Sequence, residues 1–168
     1  MLMRKRRIMG IDPGLQHCGW GLITVAGNHT QFLASGRVST VAQHDLCDRL
    51  LYLHKCLTTL LNEWEPDEVA VENTFVSRDA VASLKLGHAR AIALLVPRQF
   101  GLPVFEYAPN HVKKSVVGVG HAAKHQVQAM IGRLLSGASF ESPDAADALA
   151  IAICHAHQRN SPAVAGRL

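Results

Sequence analysis

The chain has 168 residues, of which 48% are hydrophobic and 18% are charged, so one sizeable core can form in a single domain spanning residues 1–168. No run of about 18 or more apolar residues is present, and no apolar segment ending in small residues follows the basic N-terminus, so neither a membrane span nor a signal peptide is predicted. The formal net charge of +4 and the pI of about 9.1 lean towards a polyanionic partner.

The core is predicted to cover residues 6–157, between a basic N-terminal tail and a frayed C-terminal tail. The basic cluster at residues 4–7 has two interpretations, a phosphate contact or a solvated tail. The cysteines form no C-x-x-C pair, and in the cytoplasmic protein expected here they are predicted to be reduced and buried. They are Cys18, Cys47, Cys56 and Cys154.

The first part of the chain predicts three strands joined by short turns, at residues 8–11, 19–25 and 31–38. Gly27 and Asn28 form a hairpin signal between the second and third strands, and the short connections imply an antiparallel meander. After residue 43 the leucine spacing changes to a helical period, which predicts a helix over residues 43–62.

The middle of the chain alternates strands with a helix. A strand is predicted at residues 69–72, a helix at about 79–100 and a fifth strand at 104–107. Together with the preceding helix, this alternation favours parallel pairing of the later strands.

The last part predicts three helices, at residues 109–117, 122–135 and 143–154. The final helix has a clear start, with Ser142 as N-cap and Pro143 at the first helical position. Gly118 and Gly120 separate the first two helices. Because this Gly-x-Gly pattern follows a helix and not a strand, a dinucleotide-binding loop is rejected.

Four carboxylates stand out by their positions. Asp12 ends the first strand before a Pro-Gly turn, and Glu72 ends the fourth strand. Asp144 and Asp147 lie three residues apart on one face of the last helix, among small apolar residues. A turn cap would explain Asp12, and the helix dipole would explain Asp144. Asp147 is harder to explain in this way, since no Lys or Arg lies at helical spacing from it and burying a lone charge is costly.

If the first and fourth strands are neighbours and the last helix packs across their ends, the four acids converge. Four close anions would repel one another unless a cation lies between them, and oxygen ligands suit Mg²⁺ or Mn²⁺. Two such ions per site can hydrolyse a phosphodiester. The histidine pairs at 121/125 and 155/157 have no cysteine at zinc-finger spacing, so zinc is not predicted.

Several stretches, in the same order along the chain, resemble the RuvC family of bacterial Holliday-junction resolvases, nucleases of the ribonuclease H-like superfamily. The similarity extends from Gly10 to His157. Its most specific parts are GIDPG at 10–14, VENTF at 71–75, SLKLGHAR at 83–90, LPVFEY at 102–107, VVGVG at 116–120 and DAADALA at 144–150.

The resemblance implies an α/β, ribonuclease H-like fold in which a five-stranded mixed sheet, an antiparallel meander plus parallel strands, is flanked by helices. It implies a homodimer with part of its contact in segment 82–95, and partnership with the branch-migration proteins RuvA and RuvB. It also implies Mg²⁺- or Mn²⁺-dependent cleavage of four-way junction DNA by paired symmetric nicks, in recombination and repair. The catalytic and metal-binding acids are carried onto Asp12, as the expected bridging ligand, and onto Glu72, Asp144 and Asp147. Some family members have His at the position of Asp144.

Two residues of the loop after Glu72 are candidate DNA contacts. Phe75 is either a core anchor or a wedge that stacks on unpaired bases, and the resemblance favours the wedge. Arg78 is a candidate phosphate or base contact in the same loop.

Lysines follow in the later helices. By spacing alone Lys113, Lys114 and Lys124 are solvated charges. The resemblance places Lys113 and Lys124 near the active site, where a positive group offsets charge that develops on the phosphate. Lys85 and Arg90 could extend the same basic track along the DNA.

Two other functions remain open at this point. A strand-Asp-x-Gly pattern before a Gly-rich strand also resembles the first phosphate loop of sugar kinases and actin-like ATPases. Those proteins close two such domains on ATP, whereas this chain has the length for one and lacks a second loop. The other possibility is a non-cutting junction-binding module of the same fold, although all four acids are present.

Overall fold

The sheet forms where short apolar stretches alternate between two faces. In the computed structural model, which describes residues 4–74 and 76–159, the five strands lie in the order β3-β2-β1-β4-β5. Their bounds are β1 Arg6–Asp12, β2 His17–Ala26, β3 His29–Ser39, β4 Glu68–Glu72 and β5 Val104–Tyr107. The first three strands are antiparallel neighbours, and β4 and β5 continue the sheet in parallel with β1. The predicted meander plus parallel strands is confirmed.

Five helices cover the two faces of the sheet. They are α1 Leu46–Trp64, α2 Ala80–Gln99, α3 Pro109–Val117, α4 Lys124–Leu134 and α5 Pro143–Gln158. One core cluster contains Met9 and Ile11 and packs against α1 and α2, whereas the other contains Ile8 and packs against α3, α4 and α5. Successive residues of β1 therefore point into opposite layers, as the pleat of a strand requires.

Helix α5 is the most buried helix and begins where the sequence predicted. The Oγ atom of Ser142 accepts a hydrogen bond from the backbone N–H of Ala145 at 3.1 Å, and Pro143 stands in the first helical turn. Every residue from Ala148 to His155 is buried. The helix crosses the sheet above β1 and β2, and β1 carries Asp12 of the candidate site.

Three glycines allow α5 to lie very close to the sheet. A Cβ atom on Gly10 would collide with the carbonyl oxygen of Ala148 and would lie 2.8 Å from the backbone nitrogen of Ala152. A Cβ on Gly19 would collide with the carbonyl oxygen of Asp144, and one on Gly21 would lie 2.9 Å from the backbone nitrogen of residue 149. Because the nearest obstacles at Gly10 and Gly19 are backbone atoms, these two positions need glycine for close approach, whereas the atoms nearest to Gly21 belong to the Leu149 side chain.

The other end of α5 is held by a buried polar network. His155 contacts Glu68 through Nε2 and Tyr107 through Nδ1, each at 2.7 Å. Glu68 also accepts hydrogen bonds from Arg6 at 2.9 Å and from Arg159 at 3.0 Å. The network ties the starts of β1 and β4 to the C-terminal end of α5.

The basic cluster at residues 4–7 spans the start of the core that was predicted from residue 6. Arg6 and Arg7 belong to β1, and the backbone N–H of Arg7 donates to Asp67 at 2.8 Å. Arg4 lies 3.6 Å from Asp67. Arg4 and Arg6 are therefore paired with acids at the sheet end opposite Asp12, and a phosphate contact by this cluster stays a prediction. The C-terminal tail from residue 160 lies outside the described residues.

The cysteines only partly follow the prediction. All four are free, and Cys18 and Cys154 are buried. Cys56 is half-buried, but Cys47 is exposed near the start of α1, so the expectation of four buried thiols was wrong for this residue.

Helix α2 is unusual because its exposed side is apolar. Among the described residues it is the one helix that is long and apolar enough to span a membrane by length and composition alone. It packs against α1 and β4 as part of the folded domain. Its outer side exposes Val81, Leu84 and Leu95, which are 61%, 65% and 51% accessible to solvent.

Candidate active site

The first two acids meet because β1 and β4 are parallel neighbours. Asp12 is the last residue of β1 and Glu72 is the last residue of β4, so both side chains stand at the same end of the sheet. The sequence placed these acids at strand ends, and the pairing of the two strands brings them together.

The last two acids come from the start of α5. Asp144 lies in its first turn and Asp147 one turn further along, both half-buried. The close approach at Gly19, where the Asp144 backbone touches the strand, sets this end of the helix beside the end of β1.

All four acids and two lysines line one cavity of about 330 Å³. Its lining residues are Asp12, Glu72, Pro109, Val112, Lys113, Lys124, Val127, Asp144, Asp147 and Ala150. The six residues predicted as catalytic are therefore brought to one place. They come from five elements, which are β1, β4, α3, α4 and α5. Among the described residues, no His or Cys contributes to this lining, so its possible metal ligands are carboxylate oxygens, and two ammonium groups lie beside them.

Burial and mutual repulsion disfavour the ionised form of the acids on the strands. Burial, followed by the charges of Glu72, Asp147 and Asp144, raises the pKa of Asp12 to about 8. Burial and the charge of Asp147 also raise the pKa of Glu72, although its hydrogen bond with Asp12 and the two lysines oppose the rise. Ionisation of both carboxyl groups at once is therefore disfavoured, and the raised pKa is most marked for Asp12.

The acids on α5 each have a cationic neighbour. Burial raises the pKa of Asp147, against the opposing effect of Lys124, whose Nζ lies 3.5 Å from the carboxylate. Arg37, on β3, lies 3.5 Å from the Asp144 carboxylate. Arg37 was missed from the sequence because no local pattern predicts that β3 passes beside the first turn of α5.

The donor set fits hard divalent cations. In the described parts of the chain, no three His, Cys, Asp or Glu side chains are already arranged to hold a metal ion. The reason is visible in the pairing: Asp12 is hydrogen-bonded to Glu72, while Asp144 and Asp147 are directed to Arg37 and Lys124. All four carboxylates nevertheless line one cavity, so they share the space in which an ion would bind. Carboxylate oxygens without thiolate or imidazole suit Mg²⁺ or Mn²⁺.

The predicted DNA contacts are less uniformly placed. Arg78 is exposed in the segment before α2, Lys85 is exposed in the first half of α2, and Lys114 is exposed on α3 outside the cavity lining. Phe75 lies outside the described residues. Arg90 does not extend the basic track as a free charge, because it forms an ion pair with Glu106 at 2.5 Å.

The sheet order and the acidic cavity define a ribonuclease H-like nuclease. A family model described as "Crossover junction endodeoxyribonuclease RuvC" matches residues 8–155. The chain therefore belongs to the RuvC family, and its enzyme class is that of a metal-dependent endonuclease. The sugar-kinase and actin-like ATPase interpretation was wrong.

Individual relatives agree with this assignment. The crossover junction endodeoxyribonuclease RuvC of Brucella anthropi is 58% identical over 162 residues, which are 96% of this chain and 94% of that protein. The structure of T. thermophilus RuvC in complex with a Holliday junction substrate matches with a TM-score of 0.85 at 33% identity, covering 96% of this chain and 97% of that one. The yeast mitochondrial Holliday junction resolvase Ydc2 shares the fold, with a TM-score of 0.66 at 13% identity over 92% of this chain and 84% of that one.

Proposed function

We propose that this protein resolves four-way (Holliday) DNA junctions by paired, symmetric nicks during recombination and repair. The observation that carries the proposal is the convergence of Asp12, Glu72, Asp144 and Asp147 in one cavity beside Lys113 and Lys124. Support also comes from the T. thermophilus relative, whose structure was solved with a Holliday junction substrate. The products would carry a 5′-phosphate and a 3′-hydroxyl.

The four acids would hold two divalent ions, Mg²⁺ or Mn²⁺. Asp12, Glu72, Asp144 and Asp147 would supply the carboxylate oxygens that hold them. When bound, such ions supply an activated water and neutralise charge on a phosphodiester that undergoes in-line displacement. Because burial and the neighbouring acids raise the pKa of Asp12, metal binding would be coupled to proton release.

The two lysines complete the electrostatics of the cavity. Lys113 is half-buried and Lys124 is largely exposed, and both have a charge effect on Glu72 and Asp147. Both ammonium groups line the cavity, where they would face a scissile phosphate. A fixed positive group at that point stabilises charge that develops in the transition state.

DNA contacts around the cavity would position the junction. Arg78 and Lys85 lie on the chain that leaves the Glu72 strand end, and Lys114 extends the positive surface on α3. Such phosphate contacts fix register and carry no sequence information by themselves. Stacking of an unpaired base on Phe75 would give the cut its sequence preference.

A homodimer would explain paired nicks, because a two-fold symmetric dimer places two cavities on a two-fold symmetric substrate. The exposed apolar residues Val81, Leu84 and Leu95 of α2 supply the surface for this contact. The family relationship supports action in the cytoplasm with RuvA and RuvB.

The test is nicking of a four-way junction by Asp12→Asn and by a matched control, Glu63→Gln, which removes an exposed acid from α1. Asp12→Asn is expected to bind the junction with wild-type affinity and to lose detectable cutting in Mg²⁺ or Mn²⁺. The control should cut at the wild-type rate. Unchanged nicking by Asp12→Asn would refute the assignment, and binding without cutting by the wild-type protein would favour the non-cutting module.

A further inference from the structure

Arg49 is a buried arginine without an acidic partner. It lies in the first turn of α1 and is only 9% exposed. Its Nε donates to the hydroxyl of Thr40 at 3.0 Å, and Thr40 in turn donates to the carbonyl oxygen of Leu15 at 2.5 Å. Within residues 4–74 and 76–159, no carboxylate forms an ion pair with Arg49 and no atom accepts a hydrogen bond from its two Nη atoms. Buried arginines are normally paired with an acceptor of opposite charge. The two Nη atoms of Arg49 have no such acceptor among the described residues, so they are available to an anionic ligand.

The guanidinium lines a cleft of about 340 Å³ between the loop after β1 and helix α2. We call it the Arg49 cleft; its lining residues are Leu15, Gln16, Ala42, Arg49, Ala82, Lys85 and Leu86. Two cationic groups and a side-chain amide face this space, and no lining residue is acidic. Arg49 also lines a second cleft, which includes Asp48, and the charge of Asp48 would repel an anion there.

The Arg49 cleft lies at the same end of the sheet as the candidate active site. Gln16 follows Asp12 by four residues, and Thr40 follows directly after β3, where its backbone N–H donates to the Gln16 carbonyl at 3.0 Å. The cleft belongs to the α1 and α2 layer, whereas Lys113 and Lys124 belong to the opposite layer. DNA that crosses this end of the sheet would meet positive charge in both layers.

We propose that the Arg49 cleft binds a backbone phosphate of a junction arm, away from the phosphate that is cut. The non-bridging oxygens would accept hydrogen bonds from the Nη atoms of Arg49, from Lys85 and from the Gln16 amide. Thr40 fixes the arginine before the DNA arrives, so little side-chain entropy is lost on binding, and a planar guanidinium can hold a phosphate through two parallel bonds. This inference depends on the proposed function, since it requires that the protein binds junctions.

The experiment measures junction affinity for the full chain in buffer with a chelator, so that the DNA stays intact. Arg49→Gln and Lys85→Gln are each expected to weaken binding about 10- to 100-fold, the effect of losing a charge-assisted hydrogen bond. Each should also lower the slope of log affinity against log salt concentration by about 0.9, the value for one lost phosphate contact. The matched control is Lys55→Gln, an exposed lysine on α1 outside the cleft, which should leave both quantities unchanged.

Arg49 is buried, so each variant's melting temperature is measured first. If Arg49→Gln does not fold, Lys85→Gln decides, because its side chain is exposed. A folded Arg49→Gln, or Lys85→Gln alone in that case, with wild-type affinity and salt slope overturns the inference.

A neutral methylphosphonate, placed at successive positions of one arm, identifies the phosphate. One position should weaken binding to the wild-type protein and have no further effect on Arg49→Gln, because both changes remove the same contact. Additive losses at every position would overturn the inference. A shift of the Arg49 Nε–H resonance by inorganic phosphate at junction-competing concentrations, without any such position, would assign the cleft to free phosphate.

The outcome for the proposed function is separate. If the wild-type protein neither binds nor cuts four-way junctions, the proposed function fails and this inference fails with it. If the wild-type protein binds and cuts but the cleft variants match it, only the inference fails.

Discussion

Gly10→Ala is expected to distort the active site by displacing helix α5 from the sheet. The added methyl group would meet the carbonyl oxygen of Ala148 and the backbone nitrogen of Ala152, the latter at 2.8 Å, and neither atom can turn away as a side chain would. Helix α5 must therefore move outward. Because Asp144 and Asp147 are on α5 whereas Asp12 is on β1, this movement separates the two halves of the acidic cavity.

The magnitude follows from the packing. Overfilling a packed core costs about 1–3 kcal/mol, which for a domain of this size lowers the melting temperature by roughly 3–10 °C. The loss of cutting should be larger than this loss of stability implies, because a displacement of about 1 Å at a catalytic group can reduce a rate about 100-fold. The assays are thermal unfolding by circular dichroism and single-turnover nicking of a four-way junction below the melting temperature.

Gly132→Ala is the matched control. Gly132 lies within α4, where an added Cβ would meet no atom within 4 Å, so the change should raise stability by about 0.5–1 kcal/mol and leave cutting unaffected. If Gly10→Ala melted and cut like the wild-type protein, α5 would not be seated on the strand in the way described, and the reasoning would be refuted.

Three further outcomes are expected. At low Mg²⁺, the nicking rate should rise with pH towards about 8, because burial raises the pKa of Asp12 to about 8 and protons compete with the metal. The midpoint of this pH profile should fall as Mg²⁺ is added. A midpoint independent of Mg²⁺ would contradict this expectation. Burial alone would raise the pKa of Glu68, but the hydrogen bond from His155 and the charge of Arg159 outweigh it and lower the pKa to about 2. The resulting stabilisation of the fold, at most about 3 kcal/mol, is present above the ordinary pKa of 4.5 and is lost as the pH falls towards 2. In urea unfolding, the free energy of unfolding should therefore differ less between pH 7 and pH 3 for Glu68→Gln than for the wild-type protein. Leu84→Asp, at a 65% exposed position of α2, should give monomers in analytical ultracentrifugation and single nicks in place of paired ones, whereas a dimer of unchanged stability would exclude α2 as the contact.

The acids could be found from sequence because each has a local signature. Asp12 and Glu72 stand at the ends of short apolar strands, and Asp147 interrupts an apolar helix without a nearby cation in the chain. The strand order and the close seat of α5 could only be expected conditionally. The clash at Gly10 comes from residues about 140 positions away, so its backbone contact leaves no local pattern.

Cationic residues were harder to interpret, since the meaning of a charge depends on its partner in space. Arg6 belongs to a basic cluster in the sequence, yet it forms a hydrogen-bonded ion pair with Glu68 at the end of the sheet opposite Asp12. Arg37 and Arg49 gave no signal, although one lies beside Asp144 and the other is buried next to a cleft. Pairings such as these are set by which elements become neighbours, and the local sequence does not encode them.

The position of α5 in the chain also determines when cutting becomes possible. The two acids on this helix follow all five strands in the sequence, and the helix is fixed at one end by strand glycines and at the other by Glu68 and His155. A nascent chain that has exposed Asp12 and Glu72 still lacks half of its donor oxygens until the helix has left the ribosome and docked. If these acids hold the metal ions as proposed, newly made polypeptide cannot cut DNA until folding is nearly complete.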